Sequence, residues 1–127
     1  GAGRGFCSGQ DLQSRSIAQE MGQRPSLGDS IRRRYNPIVI KLRRMEKPII
    51  AAVNGVAAGA GASVAFACDF RIVTEKTNFI QSFTKVGLIP DSGATFILPR
   101  LVGATKAFEL MLSADKLSAQ EAFNLGV

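Results

Sequence analysis

Few residues in this chain can do chemistry, and that narrows what it does. There is no histidine, which removes Ser-His-Asp and Cys-His machinery and most zinc sites from these 127 residues. Proton transfer is left to carboxylates, lysines, the single tyrosine or a bound water. Two small-residue segments stand out, Gly5-Phe6-Cys7-Ser8-Gly9-Gln10-Asp11 and Asn54-Gly55-Val56-Ala57-Ala58-Gly59-Ala60-Gly61. A site for a developing oxyanion needs two backbone N–H groups converging on one oxygen, and small residues let the backbone come that close. A helix starting at the second segment adds the positive end of its dipole. Taken singly, each segment reads more readily as a tight turn or a close helix contact.

Asp91 lies in the breaker-rich run Gly87-Leu88-Ile89-Pro90-Asp91-Ser92-Gly93, just ahead of an apolar helical stretch. Its carboxylate has two readings, an acid/base group or an N-cap of the following helix. Asp11 and Asp69 read as local turn and strand-start acceptors. Cys7 and Cys68 have neither metal-site spacing nor a disulfide framework around them, so two free thiols in a reducing compartment are expected. Cys7 has no histidine or evident cation to activate it.

The elements that must position these groups alternate. Ile31, Tyr35, Ile38 and Leu42 recur at helical spacing between about Ser26 and Met45, with Pro37 bending or breaking that helix. Pro48-Ile49-Ile50-Ala51-Ala52-Val53 reads as a buried strand running into the turn Asn54-Gly55. The small-residue block from Ala57 to Ala62 follows, and a helix continues over Ser63 to Cys68. Asp69 to Val73 and Asn78 to Gln81 read as strands, Ala94 to Leu101 and Ala104 to Leu112 as helices. Ser118-Ala119-Gln120-Glu121 is a capping-box signature opening a last helix that stops at Gly126. The segment between Leu12 and Pro25 reads as a loop or a short helix. One α/β domain over 1–127, without repeat or linker, is the expectation.

Hydrophobic residues make up 46% of the chain, enough for a core. No apolar run is long enough to span a bilayer, and the first residues lack the apolar centre of a secretory signal, so an internal start and a cytoplasmic location are expected. The net charge is +6. Much of it comes from Arg32, Arg33, Arg34, Lys41, Arg43, Arg44 and Lys47, with no interleaved aromatic residues to stack on bases. A solvated helix face is the favoured reading over a phosphate or nucleic-acid site.

In this order, the motifs resemble the crotonase (enoyl-CoA hydratase/isomerase) superfamily over nearly the whole chain. The matching blocks are Phe6 to Leu12, Pro48 to Gly61, Asp69-Phe70-Arg71-Ile72, Gly87 to Gly93 and Leu117 to Ala122. The resemblance implies a spiral of repeated ββα units, lacking here the first strands and the C-terminal helices. It further implies an oxyanion hole from the N–H groups of Ser8 and Ala60. Substrate contacts are implied at Gly9, Gln10, Asp11, Gly59, Gly61, Ser63 and Phe83, with the backbone of Ser8 to Asp11 near the CoA adenine. Coenzyme A enters as part of the substrate; no separate cofactor or metal is implied. A homotrimer or hexamer would be the assembly of the full-length protein.

The family's hydratases use two glutamates. Counting from the glycine block puts Ser63 at the first position, and counting back from Pro90 puts Phe83 at the second, so water addition by a carboxylate pair is not expected. Asp91 remains as the candidate acid/base. Arg34-Tyr35-Asn36-Pro37, Val53 to Gly61 and Gly87 to Gly93 look most like the phenylacetate-pathway isomerases, which convert a ring-epoxidised phenylacetyl-CoA to its oxepin and move a double bond from the 3 to the 2 position. The alternatives are a thioester reaction with Asp91 as nucleophile, which would place solvent oxygen in Asp91, and a non-catalytic relative that binds CoA or RNA.

Overall fold

A computed structural model describes residues 1–13, 20–22 and 26–127. The segment read as a loop or short helix before Pro25 falls mostly on residues 14–19 and 23–25, outside the described residues. In chain order the elements are β1 (Gly5–Cys7), α1 (Leu27–Ser30), a π-helical segment (Ile31–Tyr35), α2 (Asn36–Arg44), β2 (Ile50–Val53), β3 (Val56–Ala58) and α3 (Ala60–Ala67). There follow β4 (Phe70–Val73), β5 (Asn78–Ile80), a 3₁₀ turn (Thr84–Val86), α4 (Ala94–Val102), α5 (Ala104–Ser113), β6 (Lys116–Ser118) and α6 (Ala119–Asn124).

The strands form two sheets. β2 and β4 pair in parallel, Ile50 opposite Phe70 and Val53 opposite Val73. The other sheet has the order β1-β3-β5-β6, parallel except for the antiparallel β5-β6 pair. Each passage of the chain thus sends one strand to the first sheet, the next to the second, and then into a helix: β2-β3-α3, then β4-β5 and, after the 3₁₀ turn, α4. That repetition is the ββα spiral. Three short strands, β1, β3 and β6, have no counterpart in the sequence reading. Each is three residues long, too short for alternation to show, and each forms only because neighbouring strands offer it hydrogen bonds.

The core lies between the sheets and the helices. Every residue of α3 except Val64 is buried, as expected of a helix that is small and apolar all round. Phe66 on α3 meets Phe79 on β5 with ring centroids 5.1 Å apart, and burying one such side chain contributes about 1.5–3 kcal/mol. Of the polar groups that enter this interior, the buried Gln81 amide makes no hydrogen bond to any described residue, whereas Thr77 and Arg71 are bonded. The Thr77 hydroxyl donates to the Val53 carbonyl at 2.7 Å, and Arg71 donates to the carbonyls of Phe66 and Cys68 at the C-terminal end of α3, where a cation also meets the negative end of the helix dipole. Asp69 accepts from the Ile49 N–H at 2.9 Å and pairs with Arg43 at 3.6 Å; its role is architectural.

The amphipathic helix expected over residues 26–45 is present as α1, the π segment and α2, with a different inner stripe. Val39, not Ile38, packs against the core, and Ile38 is 47% exposed. Pro37 is the reason. It has no N–H to give to the carbonyl four residues back, and the Asn36 N–H instead reaches the Ile31 carbonyl, five residues back. The wider turn adds a residue and rotates everything after it. Arg32, Arg33, Arg34, Lys41, Arg43 and Arg44 are left on the solvated side. No helix among the described residues is long and apolar enough to cross a membrane.

Candidate active site

A cavity of about 250 Å³ opens where the C-terminal end of β1, the N-terminal end of α3, the 3₁₀ turn and the loop before α4 converge around Tyr35. Ser8, Gly9, Gln10, Gly59, Ala60, Phe83 and Asp91, seven residues singled out from sequence, all line it. Asp11, Gly61 and Ser63 lie outside its lining. Asp11 is exposed and accepts from the Gln13 N–H at 3.0 Å, a turn contact. The Ser63 side chain is fully buried and donates within α3 to the Gly59 carbonyl at 3.2 Å.

The two small-residue segments meet because side chains are missing. A Cβ on Gly61 would sit 2.3 Å from the Cys7 carbonyl oxygen, so only glycine lets β1 lie directly on the first turn of α3. Gly9 has φ +87°, and its Cα faces the Ala58 carbonyl and the Ala60 nitrogen, at 3.0 and 3.4 Å from a notional Cβ. Ser8 is thereby carried alongside Ala60, the first residue of α3. An N–H at that position has no carbonyl within its own helix, and the helix dipole makes it a better donor.

Asp91 is the only carboxylate among the described residues of the lining. Its side chain does not cap α4. The residue at the cap is Gly93, with φ +81° and no side-chain bond, and it is the backbone carbonyl of Asp91 that accepts from the Ala94 N–H at 3.0 Å. The carboxylate is left facing the cavity, held by the Ser92 hydroxyl, which donates to Oδ1 at 2.8 Å. Ser92 is buried and takes a left-handed backbone, φ +53°, a conformation costing roughly 1–3 kcal/mol for a residue with a Cβ. Burial raises the Asp91 pKa above the ordinary carboxylate value, and the Ser92 hydrogen bond opposes part of that rise.

Tyr35, Ser82, Lys85 and the apolar side chains of Leu12, Leu27, Val86 and Leu88 complete the wall and were not singled out as site residues by sequence. Tyr35 was legible as the single tyrosine, a member of the helical stripe and part of the block Arg34-Tyr35-Asn36-Pro37; nothing local ties it to residue 91. Phe83 is 6% exposed and brings its ring to the cavity wall. The exposed Cys7 and buried Cys68 are free thiols.

The sequence model of the family described as enoyl-CoA hydratase/isomerase matches residues 1–127. The chain belongs to this family. Among its curated relatives, a 1,2-epoxyphenylacetyl-CoA isomerase from Escherichia coli is 49% identical over the whole chain, which covers 48% of that protein. A trans-2-decenoyl-[acyl-carrier-protein] isomerase from Streptococcus mutans is 38% identical over 98% of the chain and 47% of its own length. A crystal structure of an enoyl-CoA hydratase from Polaromonas superposes on 99% of the chain, and 48% of that protein, with a TM-score of 0.84 and 34% identity. The chain spans about half the length of these enoyl-CoA hydratase/isomerase relatives, and the crotonase fold read from its sequence is the fold it has.

Proposed function

We propose that the whole protein is an acyl-CoA isomerase that stabilises the enolate of its thioester substrate. The observation that carries this reading is that Asp91, the one carboxylate among the described residues of the lining, shares its cavity with the backbone segments at Ser8 and Ala60. In the double-bond shift, the thioester carbonyl oxygen accepts from the N–H groups of Ser8 and Ala60. The Asp91 carboxylate removes a proton from C2 and the electron pair moves onto the carbonyl oxygen, giving a dienolate; as the thioester carbonyl re-forms, the double bond shifts to between C2 and C3 and the electron pair of the former C3–C4 double bond takes the proton back from Asp91 at C4. One base suffices because one proton leaves and one returns. Removing a single oxyanion donor in such a site costs about 100- to 1,000-fold in rate, and a positioned base contributes about 100- to 10,000-fold. Conversion of a ring-epoxidised phenylacetyl-CoA to its oxepin uses the same hole without a water-activating pair, a reading supported by the name of the 49% identical relative.

Gly9, Gln10 and Gly59 would lie along the thioester, and Phe83 against the acyl group. Coenzyme A is part of the substrate in this proposal, the assembly a homotrimer or hexamer, and the location cytoplasmic. The test compares the full-length protein with Asp91→Asn on a 3-enoyl-CoA, following double-bond migration and exchange of the C2 proton with solvent. Loss of migration by at least about 100-fold with acyl-CoA binding retained is expected if Asp91 is the shuttle. Unchanged migration in the variant would remove Asp91 from the mechanism.

A further inference from the structure

Tyr35 is brought to Asp91 by two local features. It ends the π segment Ile31–Tyr35 that Pro37 enforces, and one helical turn later Val39 presses its Cγ1 to 3.2 Å from where a Cβ of Gly93 would be. The helix therefore rests on the turn that carries Asp91, and Tyr35 lies above the same cavity. Its ring is partly buried, and its hydroxyl makes no hydrogen bond to any described residue. A partly buried hydroxyl without a protein partner is left to water or to an acceptor that a ligand supplies. The lining it shares includes the side chains of Leu12, Leu27, Val86 and Leu88, which carry no acceptor, and the carboxylate of Asp91, to which its hydroxyl makes no hydrogen bond.

We infer that Tyr35 is a specificity residue whose phenolic hydroxyl donates a hydrogen bond to an oxygen carried by the acyl group beyond the thioester, so that the cavity prefers oxygenated to hydrocarbon acyl groups. The inference rests on the acyl-CoA reading above. The phenol is suited to donate, because burial and the nearby Asp91 charge raise its pKa and keep it protonated. Ser82 is the competing hydroxyl. It lies beside Gly59, its Oγ 3.3 Å from a notional Gly59 Cβ, at the proposed thioester position.

The experiment measures binding of phenylacetyl-CoA and (2-hydroxyphenyl)acetyl-CoA to the full-length protein by calorimetry, in the unaltered protein, Tyr35→Phe and Ser82→Ala. The unaltered protein should bind the hydroxylated ligand about 3- to 10-fold more tightly, the worth of one neutral hydrogen bond. Tyr35→Phe keeps the ring and should erase that preference by weakening only the hydroxylated ligand; Ser82→Ala should retain it. No preference in the unaltered protein, or a preference that survives Tyr35→Phe, overturns the assignment. Failure of both ligands to bind overturns it together with the acyl-CoA reading. A preference that behaves as expected while Asp91→Asn leaves isomerisation intact refutes the proposed chemistry and leaves the role of Tyr35 standing.

Discussion

Asp91 owes its state to two opposed effects that sit within one residue of each other. Burial favours the neutral acid, whereas the Ser92 hydroxyl at 2.8 Å favours the carboxylate, and burial is the larger. A base must be ionised to take a proton, so activity should rise with pH through the raised pKa of Asp91. Ser92→Ala removes the group that opposes the rise. Its acidic limb of kcat/KM is therefore expected at higher pH than that of the unaltered protein, with the activity plateau reduced less than in Asp91→Asn; a pH profile of both proteins decides this. An unmoved limb would mean that another group sets it.

At the scale of elements, the site is an intersection of β1 with the start of α3, and Gly61 is what permits it. Gly61→Ala would put a methyl 2.3 Å from the Cys7 carbonyl oxygen and 2.8 Å from the Cys7 Cβ, both belonging to the strand rather than to a mobile side-chain end. The strand must move away. A loss of about 1–3 kcal/mol of stability is expected from such overpacking, measurable by urea denaturation. Because Ser8 moves with the strand, isomerisation should fall by roughly 100-fold, the scale of effect of a 1 Å misplacement. Undiminished activity would separate the β1 contact from the oxyanion hole. The capping box is a counterexample in which sequence and structure coincide: Ser118 and Glu121 exchange their hydrogen bonds at the start of α6 as their spacing predicts, since both partners lie within one turn.

For the whole molecule, the basic residues of the 32–47 stretch stand outside the cavity lining, where Lys85 is the one cation among the described residues. Arg32 pairs with Asp29 at 3.4 Å, Arg43 with Asp69 at 3.6 Å, and the remaining basic side chains of this stretch stand in solvent. Any RNA binding is accordingly expected to be independent of sequence and to collapse as salt rises from about 50 to 200 mM, as counterion release dictates. Filter binding of two unrelated RNAs across that range tests it, and salt-resistant discrimination between them would argue for a nucleic-acid role. Elsewhere the outer face of the β2-β4 sheet carries Ile50, Phe70 and Ile72, more than half exposed, in a chain that spans about half of its relatives' length.

The sequence by itself determined the family and half of the cavity wall, because those properties are written in contiguous blocks: glycine runs where backbones must touch, an apolar run for β2, and a breaker-rich loop at Asp91. Tertiary structure decided the rest. It removed Ser63 from the cavity into the heart of α3, released the Asp91 side chain from the capping role that its position before a helix suggested, and made strands of β1, β3 and β6. It also set Tyr35 against the Asp91 turn across 56 residues of chain. Those outcomes depend on groups far apart in sequence, and local pattern carries no record of which distant surface a residue will meet.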